Sequence, residues 1–200
     1  MATSPDRRTQ IRDAALRVFA RKGYRNTVVE DVARAAGVSK GTIYTYFDRK
    51  EELLGAVFRG LMDEMEGREA AILRSDRPPL EKIRRLLHAF VDMLSSQEED
   101  VARVMLDIWV ASVQDPERFG IDFADLYAQY RRLFRELLRE AQTRGDVPAD
   151  VSSAAPAVLI GAIEGVLLQW LLDPEGVDFP GAADDIIDLL YRGIQERAPS

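Results

Sequence analysis

Residues 27–53 constrain the fold of this chain more than any other stretch of similar length. Apolar residues at helical spacing lead to Gly37, a residue type that tolerates the left-handed backbone with which many helices end. Ser39 follows as a good N-cap for a second helix. Ile43 and Phe47, four residues apart, define one buried face of that helix. The pattern predicts two short helices joined by a tight turn.

The opposite face of the second helix is small, hydroxylated and aromatic. Glycine permits close approach to another molecule, lysine donates to guanine O6 and N7, and a threonine methyl group contacts the thymine methyl group. Tyrosine hydroxyls reach phosphate oxygens, which fix position without reading sequence. These side chains favour insertion of the helix into the major groove of DNA. The face consists of Lys40, Gly41, Thr42, Tyr44, Thr45 and Tyr46.

A helical hairpin with a solvated polar face is the simpler interpretation of the same pattern. Helical hairpins are common, and such a face needs no partner other than water. A face that contacts only water, however, does not require two tyrosines such as Tyr44 and Tyr46. The order of caps, glycine turn and aromatic pair is also specific over 27 positions. Both observations favour the DNA-binding interpretation.

Two capping patterns predict where helices begin. Thr27, with Glu30 three residues later, predicts a capping box at the start of the first helix of the pair. Asp48 and Glu51 repeat the pattern before a long helix. Arg49 and Lys50 lie in the first turn of that long helix, where exposed amides and the helix dipole favour a phosphate.

Charge is distributed unevenly along the chain. The formal net charge of −7 is unexpected for a DNA-binding protein, but residues 1–50 hold 11 Lys/Arg and 5 Asp/Glu and carry a net +6. The remainder carries −13. The basic end would face the DNA polyanion, and the acidic remainder would be repelled from it. This confinement favours a site-specific regulator over a sequence-indifferent DNA-compacting protein, whose positive charge should spread along its body.

The run Val38–Phe47, followed by Lys50–Leu53, resembles the DNA-binding head of the TetR family of bacterial transcriptional regulators. The resemblance covers the first 55 residues and implies an all-α fold. It implies a three-helix, helix-turn-helix head over residues 1–50 and a larger helical domain for ligand binding and dimerisation over residues 51–200. An earlier apolar pattern fits the first helix of the same head: Ile11, Ala14, Ala15, Val18 and Phe19.

The resemblance also implies a function. It implies a homodimeric regulator, more often a repressor than an activator, that binds a near-palindromic operator and responds to a small-molecule effector. Paired heads place the two half-sites about 34–36 Å apart, or a multiple of that distance. Base or phosphate contacts are implied, position by position, for Thr27, Ser39, Lys40, Gly41, Thr42, Tyr44, Thr45, Tyr46 and Lys50.

The pattern of the remaining residues predicts helices. Apolar stripes at helical spacing recur after residue 50, and no stretch alternates with the period of a strand. We expect about nine helices in total and no sheet. The absence of cysteine excludes disulfides and cysteine-ligated zinc and fits a reducing cytoplasm. The first eight residues lack the apolar region of a signal peptide, so we expect a cytoplasmic protein.

Residues 154–172 are almost wholly apolar and long enough to cross a membrane. Glu164 and Gln169 lie inside this segment, and no Lys or Arg flanks it closely, which argues against a membrane span. A soluble helix that is apolar on most sides must be buried on most sides, which predicts a four-helix interface between two subunits. Glu164 could meet a cationic ligand, pair across the dimer or reach water. The predicted interface is Ile160, Glu164, Leu167, Leu168, Leu171, Ile187, Leu190 and Ile194.

The resemblance implies an effector pocket in the middle helices, whose occupation shifts the long helix and separates the DNA-binding heads. These helices carry more aromatic and methionine side chains than a bare core requires. At helical spacing, such side chains belong to a core more often than to a pocket. The predicted lining is Met65, Phe90, Met93, Met105, Trp109, Tyr127, Tyr130 and Phe134.

The sequence contains few features of an enzyme. It contains no Ser-His-Asp spacing, no phosphate-binding glycine loop and no cluster of metal ligands. His88 is the only histidine, and we expect it at or near the surface rather than in a catalytic role. We therefore predict no catalytic residue, no metal and no cofactor. A sequence-indifferent DNA-binding protein and a helical enzyme are the alternatives.

Overall fold

The computed structural model describes residues 6–95 and 101–195, which form ten α-helices and no β-strand. The prediction of an all-α fold is confirmed. Residues 1–5, which contribute to the expectation that no signal peptide is present, lie outside the described residues. The helices are α1 (Arg7–Lys22), α2 (Val29–Ala36), α3 (Lys40–Tyr46), α4 (Lys50–Leu73), α5 (Pro79–Leu94), α6 (Val101–Gln114), α7 (Pro116–Phe119), α8 (Phe123–Arg144), α9 (Ala155–Leu172) and α10 (Phe179–Gln195).

The short helix α7 accounts for the helix beyond the nine expected. Asp115 and Pro116 end α6, but the same dipeptide also begins a new helix. The Asp115 carboxylate accepts a hydrogen bond from the Arg118 N–H at 3.1 Å. Pro116 occupies the first helical position, where its missing N–H costs nothing. α7 ends after one turn at Gly120, which has a φ of +63°.

The described residues divide into two compact units. The first unit comprises residues 6–64 and 101–123, with α1 to α3, the first part of α4, α6 and α7. The second comprises residues 65–95 and 124–195, with the end of α4, α5, α8, α9 and α10. The functional division at residue 50 stays a prediction.

In the first unit, α1 packs against α2 and α6, and α2 packs against α3. The Gln10 side-chain amide donates to the Ala36 carbonyl at 2.8 Å. Arg8 donates to the Tyr46 carbonyl at 2.9 Å, and its guanidinium lies 4.5 Å from the centre of the Phe47 ring. α1 therefore fixes the C-terminal ends of both α2 and α3. Its buried face is the predicted one: Ile11, Ala14, Ala15, Val18 and Phe19.

In the second unit, α5 packs against α9 and α10, and α9 packs against α10. Two polar side-chain contacts join α5 to α10. Arg84 lies 2.9 Å from the Asp188 carboxylate, and His88 Nδ1 lies 3.1 Å from Asp184 Oδ1. His88 is partly exposed, in agreement with its expected position near the surface.

Neither predicted capping box forms with the predicted pair of residues. The N-cap of α2 is Val28, whose N–H donates to Asp31 Oδ2 at 3.2 Å. Ahead of α4, the Asp48 N–H donates to Glu52 Oε2 at 3.0 Å. At α2 the pair is therefore displaced by one residue with its spacing of three kept, whereas at α4 the acceptor lies four residues after the donor. The acceptors predicted for these bonds were Glu30 and Glu51.

Candidate nucleic-acid interface

The local sequence positions α3 as predicted. α2 ends at Gly37, which has a left-handed φ of +66°. Ser39 then caps α3: its hydroxyl accepts from the Thr42 N–H at 3.0 Å. Ile43 and Phe47 are buried and attach the inner face of α3 to the rest of the first unit. The other face of the helix is left for solvent or a partner.

The outer face of α3 is open and lacks bulk. Lys40, Gly41, Tyr44 and Thr45 are exposed. A Cβ atom placed on Gly41 would meet only the Ser39 hydroxyl, at an ordinary contact distance of 3.7 Å. The packing of the protein itself therefore does not require glycine at this position. The two remaining predicted side chains of this face, which are half-buried, are Thr42 and Tyr46.

Lys40 is held by a carboxylate in the free protein. Its ammonium donates to Glu30, and the ammonium lies 5.9 Å from the centre of the Tyr44 ring. The hydrogen bond with Lys40 lowers the pKa of Glu30 and raises the pKa of Lys40. Both side chains are about half exposed, so water screens the pair. An acceptor on DNA competes with Glu30 for this ammonium.

Thr27 is not available to DNA, which corrects its predicted phosphate contact. Its side chain is 1% exposed, and its hydroxyl donates to the Gly23 carbonyl at 2.8 Å. The hydroxyl closes the turn between α1 and α2. A threonine ahead of a helix gives the same sequence signal whether it caps the helix or closes the preceding turn.

Lys50 is also used inside the first unit, which corrects its predicted phosphate contact. Its ammonium donates to the carbonyls of Tyr24 and Thr27, both at 2.7 Å, and lies 4.2 Å from the centre of the Tyr24 ring. Burial lowers the pKa of Lys50. The side chain therefore ties the turn before α2 to the first turn of α4. Its neighbour Arg49 is exposed, and its one ion pair within the described part of the chain, with Glu52 at 3.5 Å, leaves guanidinium N–H groups for a phosphate.

Tyr24 connects the head to α6 and α7. Its backbone N–H donates to Asp107 Oδ2 of α6 at 2.7 Å. Its ring packs edge-on against Phe19 at 5.4 Å and against Phe119 at 5.9 Å, measured between ring centres. Burial, followed by the Glu51 charge, raises the pKa of Tyr24 to about 12. No local sequence signal predicts this contact, because Tyr24 and Asp107 lie 83 positions apart.

A second contact joins α7 to α4. Arg118 forms an ion pair with Glu51 in the first turn of α4. The Phe119 carbonyl oxygen would lie only 2.5 Å from a Cβ placed on Gly55. Glycine is therefore required at position 55 for this approach. The two contacts bring α7 against the first two turns of α4, the first of which Lys50 ties to the head.

The predicted effector-binding residues fall in both compact units, with Met105 and Trp109 in the first and the other six in the second. In the second unit, Tyr127 donates to Glu164 Oε1 at 2.6 Å, and Tyr130 donates to Glu69. Burial raises the pKa of both carboxyl groups. A separate open groove of about 580 Å³ lies between α4 and α5, and none of the eight predicted residues lines it. The six predicted effector-binding residues of the second unit are Met65, Phe90, Met93, Tyr127, Tyr130 and Phe134.

Two predicted dimer-interface residues are buried inside their own subunit. Leu167 is 0% exposed and Ile187 is 1% exposed, so neither can contact a second copy. Both lie on helices that pack on each other and on α5. A helix that is apolar all round does not reveal which stripe is internal. The other predicted residues are half-buried or, in the case of Leu168, exposed: Ile160, Glu164, Leu168, Leu171, Leu190 and Ile194.

The exposed faces of α9 and α10 carry further apolar side chains, outside the predicted interface. Val158 is 52% exposed and Leu172 is 77% exposed, and Leu189 of α10 is 68% exposed. Among the described residues, α9 is the one helix whose length and composition would suit a membrane span, and 28% of it is buried. The described residues contain no group of three or more His, Asp or Glu side chains that could hold a metal ion.

A capped helix that presents an open polar face from a basic, three-helix head defines the class of helix-turn-helix DNA-binding proteins. Residues 11–57 match the family model of bacterial regulatory proteins of the tetR family. Residues 79–192 match the model of the BetI-type transcriptional repressor C-terminal domain. The chain belongs to the TetR family and is a ligand-responsive, DNA-binding transcriptional regulator.

Individual relatives agree over nearly the whole chain. The chain is 23% identical over 189 residues to the fatty acid metabolism regulator protein of Bacillus subtilis, covering 94% of this chain and 95% of that one. A protein from Saccharomonospora viridis, solved in complex with choline, has a TM-score of 0.84 at 24% identity and covers 95% and 98% of the two chains. The Bacillus subtilis regulator FadR in complex with stearoyl-CoA has a TM-score of 0.76 at 24% identity, with coverage of 93% and 98%. These two structures share the fold while holding chemically different ligands.

Proposed function

We propose that this chain is a cytoplasmic, homodimeric repressor that binds a near-palindromic operator and is controlled by a small-molecule effector. The observation that carries the proposal is the open outer face of α3, where Gly41 has no internal reason to be glycine. The proposed base and phosphate contacts retain seven predicted residues and replace Lys50 with Arg49. They are Ser39, Lys40, Gly41, Thr42, Tyr44, Thr45, Tyr46 and Arg49.

The proposed dimer uses the outer faces of α9 and α10. Exposed apolar side chains, including Val158, Leu172 and Leu189, support it, because a monomer rarely leaves such a surface to water. Gly161 and Gly165 lie one turn apart on α9, and a Cβ on either would meet nothing within 4 Å. They leave room for a second helix to come close. Two helices from each subunit then form the four-helix interface.

The same helix could be assigned to a membrane by its composition, and the packing of α9 favours the dimer instead. Leu159, Ile163 and Leu167 already bury one stripe inside the subunit. A span within a lipid bilayer has no need of such an internal stripe together with the half-buried carboxyl group of Glu164. We therefore assign the exposed stripe to a second copy of the chain.

Effector control acts through α6 and α7 in this proposal. An effector that binds one conformation better than the other shifts the balance between them, with a typical coupling of about 1–3 kcal/mol. Asp107 and Arg118 hold the turn at Tyr24 and the start of α4, so a displacement of α6 would be transmitted to the head. The predicted effector-binding residues stay a prediction, and two of them, Met105 and Trp109, lie on α6.

Selection of genomic fragments by the purified protein tests the proposed function. We expect recovered fragments to share a near-palindrome with half-sites about 34–36 Å apart, or a multiple. A competition assay with random duplex should leave the complex intact at a large excess of competitor. Equal affinity for any duplex would support the sequence-indifferent alternative. Loss of binding in Tyr44→Ala, with an unchanged oligomeric state by light scattering, would assign the interface to α3.

A further inference from the structure

Two buried hydrogen-bonding groups lie on the inner side of α6 without a partner. Ser112 is 5% exposed, and its hydroxyl makes no hydrogen bond within the described part of the chain. The indole N–H of Trp109 is also buried and makes none there. All the other buried residues of α6 are apolar: Val101, Ala102, Val104, Met105, Ile108 and Ala111.

These two groups share one side of the helix, because residues three apart in sequence are neighbours on a helical surface. A buried serine in a helix commonly donates to the carbonyl four residues earlier, which here belongs to Ile108, and that bond is not made. A buried polar group without a partner lowers stability, and alanine at position 112 would avoid this loss. A ligand with a hydrogen-bond acceptor at this position would supply the partner that both groups lack.

The surroundings indicate the chemistry of that acceptor. The Phe123 ring centre lies 6.3 Å from that of Trp109 and 5.3 Å from that of Phe58, so the neighbourhood is aromatic. An indole N–H only donates, whereas a hydroxyl can donate or accept. A carboxylate placed against two neutral donors would lose far more solvation than they return. A neutral carbonyl oxygen, with two lone pairs for two donors, fits the site.

We infer that Trp109 and Ser112 both donate to the carbonyl oxygen of an apolar, uncharged effector. The inference rests on the proposed effector response. It adds the chemical class of the ligand and assigns to Ser112 a role in selecting ligands with a carbonyl group. The position also suits control of the head. Asp107, which accepts from the Tyr24 N–H, lies two residues before Trp109 on the same helix.

A matched pair of probes tests the carbonyl requirement. Octan-2-one and 2-methyloct-1-ene have almost the same shape, but a CH2 group replaces the carbonyl oxygen in the alkene. The chain has two tryptophans, so Trp170→Phe leaves Trp109 as the sole reporter of intrinsic fluorescence. We expect the ketone to change Trp109 emission and raise the melting temperature at concentrations about fivefold lower than the alkene requires. Equal concentration dependence for ketone and alkene, or no response to either, would overturn the inference.

Ser112→Ala tests the hydroxyl, with Ser95→Ala as the matched control. The Ser95 hydroxyl is likewise buried and without a partner among the described residues, but it lies at the end of α5. We expect Ser112→Ala to weaken ketone binding about fivefold and leave alkene binding unchanged, while Ser95→Ala alters neither. Without ligand, Ser112→Ala should melt no lower than the parent protein. Unchanged ketone affinity in Ser112→Ala, or a lower melting temperature without ligand, would contradict the role of the hydroxyl.

Neither binding measurement contains DNA, so this inference and the proposed function fail separately. A ketone that binds through Ser112 to a protein that selects no genomic site would retain the ligand site and reject the repressor. A protein that selects a site but shows no preference for the ketone would retain the repressor and reject the carbonyl site.

Discussion

Two exposed helix faces, one on α3 and one on α9, both contain glycines that their own subunit does not require. A Cβ on Gly41 of α3 meets one hydroxyl at 3.7 Å, and a Cβ on Gly161 or Gly165 of α9 meets nothing within 4 Å. Each glycine costs its helix about 1 kcal/mol relative to alanine. The neighbours differ: α3 presents a lysine and hydroxyl groups, whereas α9 presents leucines and a valine. The glycines mark close approach from outside, and the neighbouring side chains indicate DNA in one case and protein in the other.

Two other glycines are required by the packing or the backbone of their own subunit. Gly55 must be glycine because the Phe119 carbonyl occupies the space of a Cβ atom. Gly37 must be glycine because its φ of +66° is strained for other residues. In this chain, an exposed helical glycine with neither constraint leaves room for a partner, and the side chains beside it indicate which partner is expected.

Among the variants that test these two helix faces, Leu168→Glu should have the largest effect on assembly and on operator affinity. Leu168 is 45% exposed on α9, and a charge there would be buried without a partner in the proposed dimer. We expect dissociation to monomers by light scattering and a loss of operator affinity of about 100-fold or more, because one head then binds without its partner. Val113→Glu, at an 85% exposed valine of α6, is the control and should remain dimeric. A dimeric Leu168→Glu protein would remove α9 from the interface.

Gly41→Ala should have the next largest effect and should act on DNA binding alone. One methyl group on the outer face of α3 would hold the helix away from the bases and cost about one base contact, or about 1–3 kcal/mol. We expect operator affinity, measured by fluorescence anisotropy, to fall about fivefold or more while the melting temperature stays equal or rises. The matched control is Gly67→Ala, at an exposed position of α4 with empty space around it. If both variants bind like the parent protein, α3 does not approach the bases closely.

The local determinants of the head could be predicted from the sequence. Gly37, Ser39, Ile43 and Phe47 each perform a role set by residues within four positions, and the structure places all four as predicted. Short-range rules apply because the backbone angle, the cap and the helical face are properties of neighbouring residues.

Roles that depend on distant parts of the chain could not be predicted in the same way. Thr27 and Lys50 carry the signals of a cap and a phosphate ligand, but each bonds to carbonyls of the turn after α1. Leu167 and Ile187 belong to apolar stripes whose inward direction is set by the neighbouring helix. Hydrophobic pattern gives the existence of these stripes but not their orientation when both sides of a helix are apolar.

Glu30→Gln sharpens the assignment of Lys40 to the DNA-binding face. The Glu30 carboxylate holds the Lys40 ammonium in the free protein, and this hydrogen bond must be exchanged for one to DNA. A neutral amide competes less, so we expect operator affinity to rise about twofold to fivefold. Because the pKa of Glu30 is lowered, the carboxylate stays ionised and the gain should be constant above about pH 6. The gain should vanish in a Lys40→Ala background; if it persists there, Glu30 repels the DNA directly instead of restraining Lys40.

Glu164→Gln should have the smallest effect and tests which side of α9 faces its own subunit. Burial raises the pKa of Glu164 above its usual 4.5, so the ionised form destabilises the folded state. The stabilising contribution of the protonated form is complete below pH 4.5 and is lost as the pH rises through the raised pKa.

The side-chain amide introduced by Glu164→Gln stays neutral at every pH, and its oxygen can still accept from the Tyr127 hydroxyl. We therefore expect Glu164→Gln to raise the melting temperature at about pH 8 and to lose this advantage towards about pH 5, while Glu175→Gln, at an exposed position, shows no such trend. Since Tyr127 belongs to the same subunit, the pH dependence should persist in the monomeric Leu168→Glu background. Its disappearance there would place Glu164 in the dimer interface after all.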